Sequence, residues 1–326
     1  MTSLLKNRDA LLALIVAVLV IGVGIRAPVF LTADSLVNML TDTSFLFMLA
    51  LAQMAVILTR GIDLSAAANL ALTGMMVTLA ARSATWLPIP GVIALSIGLG
   101  ALLGAANGAL IAGVGIPPIV VTLGTLSIFR GLIFILSGGA WLTSKDMSAE
   151  FLAFPKSSLL GVPVLIVITA LVAATFWALL SQTPAGRGIY AVGGNPVAAR
   201  YCGINIGRTQ FLVYTMAGAV AGLCGFLWVS RYGIAYTDIA IGYELTVIAA
   251  CVIGGVSIAG GIGTVRGALL GALFLGVVVN ALPVINVSPF WQMLISGVVI
   301  LAAVIVNARA ERRGGKLILP EARRAA

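Results

Sequence analysis

Apolar runs long enough to cross a bilayer alternate along the chain with short polar breaks, and none of the long runs alternates residue by residue as a strand would. Set against their breakers, the runs predict ten helical spans: 10–26, 43–59, 64–81, 91–112, 118–138, 162–181, 209–229, 245–259, 267–282 and 290–308, with eight or nine also open. Each approaches the roughly 20 residues that a transmembrane helix needs. No charge falls between Arg82 and Arg130, between Lys156 and Arg187, between Glu244 and Arg266, or between Arg266 and Arg309. A membrane barrel would show short segments of alternating polarity, whereas these runs are continuously apolar with Gly and Ala scattered through them. The expected fold is all-α, a polytopic membrane helix bundle of about ten transmembrane helices.

Composition agrees: 61% of residues are hydrophobic, 9% are charged and the mean hydropathy is +1.15, where a soluble domain is about a quarter charged. The net charge of +9 raises nucleic acid as a partner. The basic residues are spread over short loops and the tail, however, with no basic face interleaved with aromatics, so no nucleic-acid binding is expected. Topology explains them better. With the N-terminus inside, the inner segments collect Lys6, Arg8, Arg60, Arg187, Arg200, Arg208, Arg266, Arg309, Arg312, Arg313, Lys316, Arg323 and Arg324, and the outer ones only Arg26, Arg82, Lys145, Lys156 and Arg231. That is the positive-inside pattern, and it puts both termini in the cytoplasm. The start resembles a signal peptide but lacks a small-x-small cleavage site, so an uncleaved first helix is expected. Residues 1–308 form the expected transmembrane domain, including a long inner loop at 182–208, and 309–326 a basic cytoplasmic tail. A second long loop, 139–161, falls outside.

Cys202, Cys224 and Cys251 have no metal-ligand spacing and lie in or beside apolar runs, which makes them packing residues. No disulfide, metal or cofactor is expected in this chain. Glycine recurs every four residues at Gly100, Gly104 and Gly108, at Gly218 and Gly222, and at Gly267 and Gly271, a spacing that lets helices approach closely within one chain or across a dimer seam.

Gly61-Ile62-Asp63-Leu64-Ser65 has an echo in Gly242-Tyr243-Glu244-Leu245-Thr246, each before an apolar helix. The span count puts the first copy inside and the second outside, as two inverted-topology halves would. Each carboxylate either caps the first turn of its helix or lines the solute pathway, since an ionisable group near a membrane tends to face a polar cavity. Asp63, Ser65, Asn69 and Glu244 are therefore candidates for pathway or cap. Arg130 poses the same choice, with pairing or snorkelling as further roles, and Thr122, Thr125 and Ser127 add hydroxyls to its helix. Neutral hydroxyls suit a neutral polyol, although Ser and Thr also serve helix packing.

Catalytic residues are not evident. The chain has no histidine to act as base for a serine nucleophile, and no Gly-x-x-x-x-Gly-Lys-Ser/Thr loop for nucleotide. The glycine-rich stretch 260–267 lacks the lysine and follows no strand. A single Asn195-Pro196-Val197, in an inner loop, does not make an aquaporin-like channel, which leaves a proton-coupled transporter using Asp63 and Glu244 as the rival to a permease driven by another chain.

The inner loop is unlike the rest of the chain. Thr183-Pro184-Ala185-Gly186-Arg187-Gly188 opens it, Gly193-Gly194-Asn195-Pro196-Val197-Ala198-Ala199-Arg200-Tyr201-Cys202-Gly203 follows, and Asn195 as cap with Pro196 at the first helical position predicts a short helix through Tyr201. A short helix bounded by glycines, in a loop far longer than the usual 4–6 residues, looks like a docking element.

With that loop, the blocks 61–65, Leu70-Ala71-Leu72-Thr73-Gly74, Val121-Thr122-Leu123-Gly124-Thr125-Leu126 and 242–263 make the chain resemble permease subunits of ribose-type ABC sugar importers, within the group that includes branched-chain amino acid permeases. Ile116-Pro117-Pro118-Ile119, Gly138-Gly139-Ala140-Trp141 and Val287-Ser288-Pro289-Phe290-Trp291 are most similar to rhamnose or autoinducer-2 permeases. Where the family often has a glycine after Leu64-Ser65, this chain has Ala66-Ala67-Ala68-Asn69, and Asn69 offers a polar group there. The resemblance implies an inner-membrane pathway shared with a second copy or a paralogous permease, a periplasmic sugar-binding protein outside, two ATP-binding subunits inside and contact with membrane lipid. It also implies coupling to the ATPase through 186–203, with Gly186, Arg187, Gly193, Gly194, Asn195, Ala198, Ala199 and Gly203 as the residues concerned.

Overall fold

The computed structural model describes residues 8–84 and 86–285 and, beyond them, 287, 288, 291, 294, 297, 298 and 301. The helices are α1 (Arg8–Arg26), α2 (Ala33–Leu58), α3 (Ala66–Ser83), α4 (Ile89–Ala109), α5 (Pro118–Ser137), α6 (Ala149–Ala153), α7 (Val164–Gln182), α8 (Pro184–Gly194), α9 (Pro196–Tyr201), α10 (Ile206–Tyr232), α11 (Tyr243–Ile253) and α12 (Val265–Val284). Among the described residues, four two-residue strands pair as β1 (Leu142–Thr143) with β4 (Ile234–Ala235) and β2 (Ser158–Leu159) with β3 (Val162–Pro163), both antiparallel.

Seven helices among the described residues are long and apolar enough to cross a membrane: α1, α2, α4 with its π-helical extension to Val114, α5, α7, α10 and α12. Helix α3 lies between them and is buried almost continuously from Ala66 to Thr78. Its Asn69, Thr73 and Thr78 are tolerated because protein, not lipid, surrounds them. Helix α2 is the axis of the bundle, buried over 83% of its most apolar window against 17% for α7, whose long side chains, Leu171 and Trp177 among them, point outward.

Several expected boundaries shift. The second span begins at Ala33, ten residues before the predicted 43, because Thr32 caps it by accepting from Ser35 N–H and because Asp42, the charge just before the predicted start, is paired with Arg231 of α10 at 3.1 Å. The eighth, predicted as 245–259, is the eleven-residue α11, and 254–264 is a loop. The expected span 290–308 and the tail 309–326 fall almost wholly outside the described residues.

The glycine spacing is spent inside the chain. A Cβ on Gly104 would sit 2.2 Å from the Tyr214 carbonyl oxygen, and one on Gly218 would sit 2.3 Å from that of Gly100, so α4 and α10 touch backbone to backbone. Gly271 of α12 meets Ala250 of α11 in the same way.

One end of the bundle gathers the C-terminal ends of α2, α7 and α11, the N-terminal ends of α3, α10 and α12, and the pair α8–α9. At the opposite end the segment 138–163 folds over α10: β1 pairs with β4, Arg82 pairs with Asp146 at 3.2 Å, and Phe151 meets Phe226 edge-on at 5.0 Å. Helix α3, which follows the first echoed motif, and helix α11, which begins within the second, run in opposite directions through the bundle.

Candidate functional site

The inner loop folds into two helices. Thr183 caps α8 by accepting from Gly186 N–H at 3.1 Å, and Asn195 caps α9 by accepting from both Val197 N–H and Ala198 N–H at 3.1 Å. Proline at the first position of each helix fits, since the missing N–H has no partner there anyway. The predicted helix through Tyr201 is thus present, but the glycines before it do not break the chain; they belong to α8. Gly186 is buried against the Leu179 and Leu180 backbone, and Gly193 faces the Leu58 carbonyl so closely that a Cβ would lie 1.7 Å from its oxygen. Both contacts are within this chain, and Ala199 is buried as well. Gly203, with φ of 79°, makes the turn after α9.

The outward face belongs to other residues. Arg187, Gly194, Asn195, Ala198, Arg200 and Cys202 are exposed, and Val197 and Tyr201 are 65% and 90% exposed. Pro196, Val197, Arg200, Tyr201 and Ile206 line a shallow cleft of about 230 Å³. Underneath, the Tyr190 hydroxyl donates to the Gly263 carbonyl at 2.9 Å, and partial burial raises its pKa above the ordinary tyrosine value, which keeps it a donor. The face thus combines apolar, aromatic and basic groups on a helix anchored from below.

Beside this end lies a buried polar cluster. Asp63 is 3% exposed, and its Oδ1 accepts from Ser65 N–H at 2.8 Å and from the Ser65 hydroxyl at 2.7 Å. Gln53 of α2, with its amide turned to satisfy both groups, donates to the Asp63 carbonyl at 3.2 Å and accepts from Asp63 N–H at 3.1 Å. Asn107 Nδ2 of α4 donates to Ser65 Oγ at 2.8 Å, and Thr122 Oγ1 of α5 donates to the Ile62 carbonyl at 3.0 Å. Asn69 donates to the Gly100 carbonyl at 3.2 Å and accepts from Thr73 at 3.0 Å. Among the described residues, Asn107 Oδ1 and the Tyr214 hydroxyl are buried without a hydrogen-bond partner. The turn 61–65 is therefore tied to α2, α4 and α5. Sequence reasoning missed Gln53, Asn107 and Tyr214, because the groups they meet lie far away in sequence; their standing as polar residues inside otherwise apolar runs was the one available signal.

The remaining candidates separate. Thr125 is buried and bonds to the Thr122 carbonyl at 3.4 Å, while Ser127 is exposed on the outer face of α5. Arg130 donates from Nη1 to the carbonyls of Thr237 and Ile239, at 3.1 and 2.7 Å, and so holds the non-helical segment between β4 and α11 against α5. Glu244 and Asp238 supply negative charge near it. Among the described residues Glu244 Oε2 is buried without a hydrogen-bond partner, and Gly242, at φ of 79°, precedes its helix. Asp63 and Glu244, alike in sequence, thus stand in different settings.

Residues 35–304 match the family described as "Branched-chain amino acid transport system / permease component". The chain belongs to this permease family. Relatives match along nearly the full length. An autoinducer 2 import system permease protein of Enterobacter sp. (strain 638) is 37% identical over 95% of this chain and 89% of its own. A ribose import permease protein of Haemophilus influenzae is 36% identical over 93% of each, and that of Escherichia coli K12 is 36% identical over 94% of this chain and 95% of its own. No solved structure matches. For a permease of this family, the long apolar helices form a multi-pass membrane protein, and the exposed face of α9 and the buried turn 61–65 are the two places where function is to be sought.

Proposed function

We propose that this chain is the inner-membrane permease subunit of an ATP-driven importer for a small polyhydroxylated solute, either a ribose-like monosaccharide or an autoinducer-2-like compound. The observation that supports it best is the exposed face of α9, with Val197 and Tyr201 outermost, in a chain whose relatives are import permeases over most of both lengths. A separate ATP-binding subunit docks on α8–α9, a periplasmic binding protein delivers solute at the opposite end, and two permeases, identical or paralogous, share the pathway. Closure of the ATPases pushes α9 and rocks the bundle between outward and inward states. Ten crossings with both termini cytoplasmic, arranged as two inverted halves, belong to this reading, and the opposed directions of α3 and α11 favour it.

Vesicles containing the permease, its ATP-binding subunit and its binding protein test it. Uptake of ribose, rhamnose and autoinducer 2 is measured with ATP held constant, with and without an uncoupler. ATP-dependent uptake of one of them, insensitive to the uncoupler, is the expected result. Uptake abolished by the uncoupler would replace this reading with a proton-coupled transporter working through Asp63 and Glu244.

A further inference from the structure

Arg60 follows the last turn of α2 and holds φ at 66°, a conformation uncommon outside glycine. Its side chain turns back onto α8. Nε donates to the Gly193 carbonyl at 2.7 Å and Nη2 to the Gly194 carbonyl at 3.0 Å. These are the last two carbonyls of α8, where an α-helix has acceptors without intrahelical donors and where a cation is favoured by the helix dipole. A guanidinium spans both acceptors with one rigid fork, which an ammonium does not do.

Three segments interlock at this point. Gly261 N–H donates to the Leu58 carbonyl at 3.0 Å, Gly193 lies against that same carbonyl, and Gly260 lies under the Arg60 side chain, where a Cβ would be 2.5 Å from Cγ. Backbone packed this closely does not slide, so displacement of one segment moves the others. On one side of the lock the next residue is Asn195, the cap of α9. On the other, the next residues are the turn 61–65, which Gln53, Asn107 and Thr122 tie to α2, α4 and α5. Arg60 thus sits one residue from the interior polar turn and grips the two residues before the cap of the exposed helix.

We infer that Arg60 is the positioning residue that transmits displacement of α8–α9 into the turn 61–65 and so into α5, coupling ATPase docking to the transmembrane bundle. This rests on the docking role of α9 proposed above. The mechanism needs no new bond: the guanidinium keeps its two carbonyls in both states, and the rigid link makes α2, α3 and α5 follow α9.

The test uses the complete importer in vesicles, comparing wild type with Arg60→Gln and Arg60→Lys. Assembly, basal ATPase, ATPase stimulated by loaded binding protein and solute taken up per ATP are measured. The expected result for Arg60→Gln is an assembled complex with basal ATPase within about twofold of wild type but uptake per ATP reduced at least tenfold. Arg60→Lys, which reaches one carbonyl only, should fall between. An assembled variant of either kind with uptake per ATP equal to wild type overturns the inference, and so does failure of both to assemble, which assigns Arg60 to folding. If wild-type vesicles show no ATP-dependent uptake, the docking role of α9 fails before either variant is read.

Discussion

Asp63 combines a buried carboxylate with a backbone that has nowhere else to pair. Its Oδ1 takes both donors of Ser65, and Gln53 takes both of its main-chain groups, so the residue closes a turn between two helices where water is excluded. Removing the carboxylate leaves the buried Ser65 N–H without its acceptor, a loss of about 1–3 kcal/mol. Asp63→Ala is therefore expected to lower the thermal unfolding midpoint in detergent, while Asp63→Asn, which keeps an acceptor at Oδ1, loses less. If the turn serves structure, folded Asp63→Asn protein retains solute selectivity in the uptake assay. A changed preference among solutes would instead assign Asp63 to the pathway.

At the scale of the element, the crossing of α4 with α10 shows how much a single methyl group matters when backbones touch. Gly98 and Gly104 lie on the same helix, but nothing approaches within 4 Å of a Cβ at Gly98, while one at Gly104 would meet the Tyr214 carbonyl oxygen at 2.2 Å. Gly98→Ala gains the helix preference of alanine, up to about 1 kcal/mol. Gly104→Ala forces the helices apart and is expected to cost about 1–3 kcal/mol, read as earlier loss of the monodisperse peak on heating. Equal midpoints for the two variants would refute the backbone-contact account of this seam. The spacing of these glycines was visible in the sequence, as was α9, because a cap and a proline are local signals. What lay beyond reach were the partners. Gly186 and Gly193, expected at the docking surface, are turned inward against Leu180 and Leu58, while Val197 and Tyr201, which lie in the predicted short helix but outside the residues expected to couple, carry the outermost side chains of α9. Arg60 read as one more inner charge, since its grip on α8 spans 133 positions of sequence. Residues 254–259 of the loop fall inside the predicted span because valine, isoleucine and alanine score as membrane residues whether or not they are helical.

For the whole molecule, the distribution of basic residues predicts which end of the bundle faces the cytoplasm, and the three cysteines supply a probe for it without any substitution. Cys224 and Cys251 are fully buried, whereas Cys202 is exposed just past the end of α9. A membrane-impermeant maleimide should therefore modify one thiol per chain. Because 182–208 carries Arg187, Arg200 and Arg208, the positive-inside rule puts this thiol on the cytoplasmic side. Labelling is expected in inside-out vesicles and absent from sealed right-side-out ones, with peptide mapping to confirm Cys202. The reverse pattern would invert the topology and move the outer face of α9 away from any cytoplasmic ATPase. The same thiol reports docking: if the ATP-binding subunit covers Val197 and Tyr201, its addition should slow modification of Cys202 severalfold in inside-out vesicles. An unchanged rate with the complex assembled would place the contact elsewhere, and the lock at Arg60 would then stabilise the bundle end without transmitting force from a motor.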